Sequence, residues 1–183
     1  MSDALESSSS AAASPPASPP VSPTVDWVPL ADHPRGAGIA AFAARSFLGA
    51  ADPAQLVVRY WAAGDGPATR VRVEATFGAR AEGPPGHAHG GSMAAVLDEA
   101  LGVAAWIAHR PAVAAHLAVD FRAPIPLGTT ARVEPAIVAA DARKARVTGR
   151  LLALDGTVFA EATGVFVFVD AARHGGTFRG GGA

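Results

Sequence analysis

HGGSMAAVLDEALGVAAWIA, residues 89–108, decides how this chain folds. From Ser92 to Ala108 it contains no proline, is rich in Ala, Leu and Met, and runs into Arg110-Pro111, which ends a helix. Its apolar side chains do not keep to one stripe. Met93, Val96 and Leu97 are followed by Leu101, Val103 and Trp106, with alanines filling the remaining faces. A helix that is apolar all round is enclosed by other elements rather than laid on a surface.

The flanks supply the enclosure. Upstream, Leu56 to Ala62 and Thr69 to Phe77 read as strands joined by a turn at Gly64, Gly66 and Pro67. The second alternates, with Val71, Val73 and Ala75 on one face and Arg70, Arg72 and Glu74 on the other. A Gly/Pro loop, GARAEGPPGHAHGG, then leads to the helix. Downstream, residues 113–122, 130–139, 142–154 and 158–169 are all strand-like, and Asp155-Gly156 is a strong hairpin turn between the last two. An antiparallel sheet must bury its apolar face, and only one long helix is available. The fold class predicted is α+β: a curled antiparallel sheet wrapped around one long central α-helix.

Length and composition set the limits. The 183 residues suffice for about one domain, and half of them are apolar. The absence of cysteine removes disulfides, thiolate metal sites and a cysteine nucleophile. A formal net charge of −1 argues against a general nucleic-acid binder. No uninterrupted apolar run approaches the roughly 18 residues of a membrane span. The first residues lack the basic start and apolar core of a secretory signal. A cytoplasmic location with no membrane partner is expected. Residues 1–25 contain SSSSAAASPPASPPVSPT, where repeated prolines remove backbone donors, so a disordered arm is expected there. Residues 26–170 are expected as the folded domain, and the glycine-rich 171–183 as a flexible tail.

Two adjacent carboxylates, Asp98 and Glu99, lie in the middle of the enclosed helix. Acids are rarely buried without a partner or a task. Their ordinary explanation is contact with solvent or an arginine such as Arg122. The helix start offers a task. Gly90 and Gly91 would present unpaired N–H groups at the positive end of the helix dipole, open to close approach by a ligand. Such a place suits a carbonyl oxygen gaining negative charge during acyl transfer. Asp98 lies roughly 10 Å along the axis at ~1.5 Å per residue, too far to serve that carbonyl within its own chain. A two-fold partner would close the gap.

HGG with an acid nine residues after the histidine, His89 to Asp98, resembles the signature of hotdog-fold acyl-coenzyme A thioesterases, in particular the phenylacetyl-CoA thioesterase-like and thioesterase superfamily member 4-like families. VDFRAPIPLG (119–128) and the hairpin DARKARVTGRLLALDGTVFAEATGVFV (141–167) match the pattern of that family in order. The resemblance covers about residues 27–170. It implies a hotdog fold and hydrolysis of an aromatic or fatty acyl-CoA to free acid and CoA. Asp98 would be the general base for water, or a nucleophile giving a mixed anhydride. The amides of Gly90 and Gly91 would polarise the thioester carbonyl, and His89 would shape their turn. Asp120 and Arg122 would line the coenzyme A side, with Arg143, Lys144 and Arg146 meeting its phosphates. For those three, the ordinary alternative is a charged strand edge that resists aggregation. No cofactor or metal is implied, coenzyme A being part of the substrate. A homodimer or homotetramer with sites at the subunit interface is implied. Met93, Leu97, Trp61 and Phe77 are candidates for lining the acyl pocket.

One departure stands out. Relatives often place Thr or Ser where this chain has Ala114, and His116 stands where they often have Asn. This favours an alternative, an acyl-CoA-binding protein with little or no turnover, acting as a sensor or assembly partner. Three other readings fit less well. Gly90-Gly91-Ser92-Met93-Ala94 loosely imitates a serine-hydrolase elbow, which needs a strand before the serine; hydrogen bonding at the helix start is the ordinary role of Ser92. His87 and His89 could chelate a metal but lack a third histidine nearby. A hotdog dehydratase would pair its Asp with a nearby downstream His, and His109 is too distant.

Overall fold

The computed structural model describes residues 25–170. The expected tail and all of the expected arm but Val25 lie outside the described residues. In chain order the elements are β1 (Val28–Pro29), α1 (Ala37–Ala43), β2 (Leu56–Ala63), β3 (Arg70–Phe77) and α2 (Gly90–Ala108). They are followed by β4 (Ala112–Phe121), β5 (Thr130–Val133), β6 (Ala136–Ala140), β7 (Lys144–Ala153) and β8 (Val158–Phe168). The strands form one antiparallel sheet in the order β1-β2-β3-β5-β7-β8-β4, with β6 paired to β7. It curls around α2 without closing, which is the hotdog-type arrangement.

The period-2 pattern of β3 does what it predicts: Val71, Val73, Ala75 and Phe77 are buried, and the residues between them are partly exposed. At the β7–β8 turn, Gly156 adopts φ 93°, and Asp155 Oδ1 accepts the Thr157 N–H at 2.9 Å. Close seating of α2 depends on glycine in the sheet. A Cβ at Gly149 on β7 would lie 2.8 Å from Leu101 Cδ1 and 3.1 Å from Val133 Cγ1. Leu97, Leu101 and Ile107 are fully buried in the core, each stabilising the fold by about 1.5–3 kcal/mol.

Four features depart from the sequence reading. Helix α1 was not anticipated; it is a seven-residue segment whose Ile39 and Ala43 face the core. The single strand expected over 130–139 is two, because Pro135 lacks an N–H and interrupts the ladder after Val133. Helix α2 begins at Gly90 rather than Ser92. Finally, the 19-residue α2 is by length and composition apolar enough to cross a membrane, with a window of mean hydropathy 1.3, although it holds no uninterrupted apolar run of that length. Here the sheet covers it.

Strand β4 is an edge. One side pairs with β8, while Val113, Ala114, Ala115, His116 and Phe121 are exposed. The pairing slips between Ala114 and His116, so the departure noted above falls at a bulge on this edge.

Candidate active site

The start of α2 is built by the loop before it. His89 donates its N–H to Ala81 O at 2.7 Å, and Ala88 donates to Ile125 O at 2.8 Å, tying the loop to the segments that follow β3 and β4. Gly83 is required by this packing: a Cβ there would lie 2.7 Å from His89 Cα. His89 caps the helix, its Nδ1 accepting the Gly91 N–H at 2.9 Å. Ser92 Oγ donates to His89 O at 2.7 Å, an ordinary bond at a helix start.

This divides the two glycines expected to act together. The Gly91 N–H is occupied by His89, so it is not offered outward. Gly90 is the first helical residue, and its N–H has no protein acceptor among the described residues. The Phe121 ring lies over it, 3.4 Å from where a Cβ would stand. The amide of Gly90 is therefore the donor that remains available.

The adjacent carboxylates separate in the same way. Glu99 is engaged: Tyr60 Oη donates to Oε1, and Ser46 Oγ lies 2.9 Å from both carboxylate oxygens. Burial pushes the Glu99 carboxyl upward from its ordinary value, against the opposing hydrogen bonds from Tyr60 and Ser46. Tyr60 is pushed upward too, mainly by burial. Asp98 has no such company. Its Oδ1 is buried without a hydrogen-bond partner, and burial raises its pKa. Neither acid pairs with Arg122, although both are partly exposed, as the solvent half of the ordinary explanation has it. Arg122 bonds Glu161 at 3.0 Å and lies 3.6 Å from Asp120, with Arg150 completing the pair on Glu161 at 2.8 Å.

The basic residues form a separate group. Arg143, Lys144 and Arg146 are exposed, and Asp141 Oδ1 shapes their turn by accepting the N–H groups of Arg143 (2.7 Å) and Lys144 (3.0 Å). Lys144 pairs with Val167, next to Phe168, which pairs with Ala112 at the start of β4. Gly90 lies against Phe121 at the other end of β4. Ten residues at about 3.4 Å separate the two ends by roughly 30 Å. Within one chain the structure does not bring the basic turn to the helix start.

Met93, Leu97 and Phe77 belong to the core of the single chain, and Trp61 is partly exposed, with Nε1 buried. A large cavity at the helix start is lined by His89, Gly91 and Ser92, by residues from Arg45 to Leu56, and by Arg80, Ala81 and Glu82. His87 Nδ1 lies 2.9 Å from Pro85 O, so both histidines of the loop are engaged in local turns. Among the described residues no three His, Asp or Glu side chains are grouped to hold a metal ion. The segment 45–56 was not singled out in the sequence. Its signal was faint: Ser46, Phe47 and Leu48 sit in an alanine-rich stretch without strand or long-helix periodicity.

A curled antiparallel sheet around one helix, with an acid in mid-helix and a glycine amide at its start, defines a hotdog-type thioesterase domain. Comparison agrees: residues 85–160 match the Thioesterase superfamily model. The acyl-coenzyme A thioesterase THEM4 of Xenopus laevis is 32% identical over 87 residues, 47% of this chain and 39% of the relative. The chain thus spans well under half the length of the curated relatives it matches. Among solved structures, the E. coli PaaI protein from the phenylacetic acid degradation operon has the same fold at 18% identity. Its TM-score is 0.57, covering 71% of this chain and 85% of that one. A Bacillus halodurans protein solved with CoA is 27% identical, with TM-score 0.50, covering 52% of this chain and 65% of its own.

Proposed function

We propose that this protein hydrolyses an acyl-CoA thioester at a site shared by two subunits. The observation that carries the reading is the pair formed by a free Gly90 amide at the start of α2 and a half-buried Asp98 farther along it, whose Oδ1 is buried without a hydrogen-bond partner. The first supplies a hydrogen bond to the thioester oxygen as it gains charge. The second removes a proton from water as the water attacks, or attacks the carbonyl itself. Collapse of the tetrahedral intermediate then expels the CoA thiolate. The CoA seen in the Bacillus halodurans neighbour, and the names of the curated relatives, support the substrate class. The acyl group is narrowed no further by these comparisons.

The dimer follows from reach. Antiparallel pairing of two β4 edges would set the Phe121 end of one strand beside the Ala112 end of its partner. That places a partner Asp98 towards the Gly90 amide and a partner basic turn beside the same helix start. One two-fold axis thus accounts for both separations found within the chain. The exposed apolar residues of β4, Val113 and Phe121, fit a covered edge.

A test uses mixed subunits. Gly90→Pro removes the N–H at the first helical position, where proline is favoured, and its added carbons meet the Phe121 ring, a side chain; His89, at φ −64° and ψ 135°, tolerates a following proline. Gly90→Pro and Asp98→Asn chains should each be inactive alone. Unfolded, mixed and refolded together, they should regain about a quarter of wild-type activity, from one intact site in each hybrid. No recovery would mean that one chain supplies both groups, or that these groups do not act.

A further inference from the structure

The cavity beside the start of α2 and the partly buried Ser46–Glu99–Tyr60 cluster are unexplained by the hydrolytic pair, and they adjoin one another at Ser46. The cavity measures about 730 Å³, within the range that holds a small-molecule ligand. Its lining includes His89, Gly91 and Ser92, the first two adjacent in sequence to Gly90. Phe47, Leu48, Leu56 and Ala51 give it an apolar wall, with Arg45 and Arg80 among its charged lining residues. Ser46, on the same wall, is held from behind. Its Oγ bonds both oxygens of Glu99, Glu99 accepts from Tyr60 on β2, and Gly49 N–H donates back to Ser46 Oγ at 3.1 Å.

On α2, Ser92 and Glu99 are seven residues apart and share one face. A chain entering beside Ser92 and lying along that face would travel roughly 10 Å before reaching the level of Glu99, at ~1.5 Å per residue. There the wall is anchored: Ser46 is tied to α2 through Glu99, and through Glu99 to the sheet. The bulk of α1 continues the cover farther along, with Phe42 packed on Trp106 at 5.1 Å.

We propose that this cavity holds the acyl group, and that the Ser46–Glu99–Tyr60 cluster fixes its end wall and so limits acyl length. The inference rests on the hydrolytic reading above for the identity of the ligand. The substrate class is an unbranched or aryl acyl group with an apolar body short enough to end before Glu99. Glu99 and Tyr60 are positioning residues here, acting through the segment that carries Ser46. The cluster explains why a second carboxylate sits next to Asp98: one acid is kept for the reacting centre, and the other anchors the pocket.

The test is a series of straight-chain acyl-CoA esters of increasing length, with kcat/KM measured for wild type, Ala51→Phe and Ser46→Ala. The matching non-hydrolysable thioethers are used to measure Kd. Ala51 lines the cavity, so a phenyl ring there should fill it. The preferred length should shorten, with a loss of about tenfold or more on the longest good substrates relative to the acetyl ester. Ser46→Ala releases the wall and should move the cutoff towards longer chains, in Kd as well as in kcat/KM. A length profile unchanged by both variants, in an active protein, overturns the pocket but leaves the hydrolytic reading intact. If the wild type releases no thiol yet binds the thioethers with the predicted length shifts, the pocket stands and the hydrolytic reading falls. Failure to bind any of them overturns both.

Discussion

Nδ1 of His89 accepts the N–H of Gly91 at 2.9 Å, and this single bond determines which amide of the helix start is offered to a ligand. A histidine next to two glycines invites an acid–base role. Its geometry assigns it a capping one, with the ring nitrogen satisfying a donor that would otherwise be left over at the first turn. The Gly90 amide is left free by the same arrangement.

His89→Ala should therefore lower stability by about 1 kcal/mol, the usual size of a lost cap. Activity should fall too, because the Gly90 amide loses its fixed direction. His89→Asn, which can cap, should restore most of both with the pH–rate profile unchanged. A profile that loses a limb in His89→Asn would instead mark the imidazole as a proton carrier.

Gly83 has no freedom to grow. Its hypothetical Cβ meets the backbone of His89 at 2.7 Å, not a movable side-chain end. Gly83→Ala should cost about 1–3 kcal/mol in a urea melt and disturb the helix start with it. An unchanged midpoint would show that the loop relaxes freely.

Burial raises the pKa of Asp98 in the folded chain. Between its ordinary value and the raised one, the folded protein binds more protons than the unfolded chain, so stability falls as pH rises through that window. Above that window the ionised, half-buried carboxylate carries the cost of its desolvation. Asp98→Asn should then be more stable than wild type above that window, with the advantage shrinking as pH falls through it and gone below about 4. Thermal melts across that range check the sign. A variant less stable above the window would mean that Asp98 has a partner in the assembled protein.

Replacing Arg143 and Lys144 together with Ala should raise KM with less effect on kcat, since phosphate contacts remote from the carbonyl act equally on ground and transition states. Salt should mimic the change in wild type and have less effect on the variant. An unaltered KM removes the basic turn from the site.

Much of this fold could be read from the chain because strong local patterns agree with the tertiary result. The alternation of Val71, Val73 and Ala75, the Asp155-Gly156 turn and the all-round apolar face of α2 each select one structure. Where local signals were weak, reading failed. Helix α1 is short and mostly alanine, and it is held by packing rather than by periodicity. Pro135 was a visible breaker, yet the apolar residues on both sides of it read as one strand. At the candidate site the residue types were legible and their allotment was not. Asp98 and Glu99 look equivalent in sequence; only the fold brings Tyr60 and Ser46 to one and leaves the other bare. The two glycines likewise part company only when His89 turns back onto Gly91.

The most direct measurement is thiol release from a panel of acyl-CoA esters by wild type and Asp98→Asn, with both preparations matched for oligomeric state. The account predicts turnover of at least one ester by the wild type and a loss of at least about a hundredfold in the variant. Turnover that survives Asp98→Asn, or a wild type silent on every ester, would contradict it.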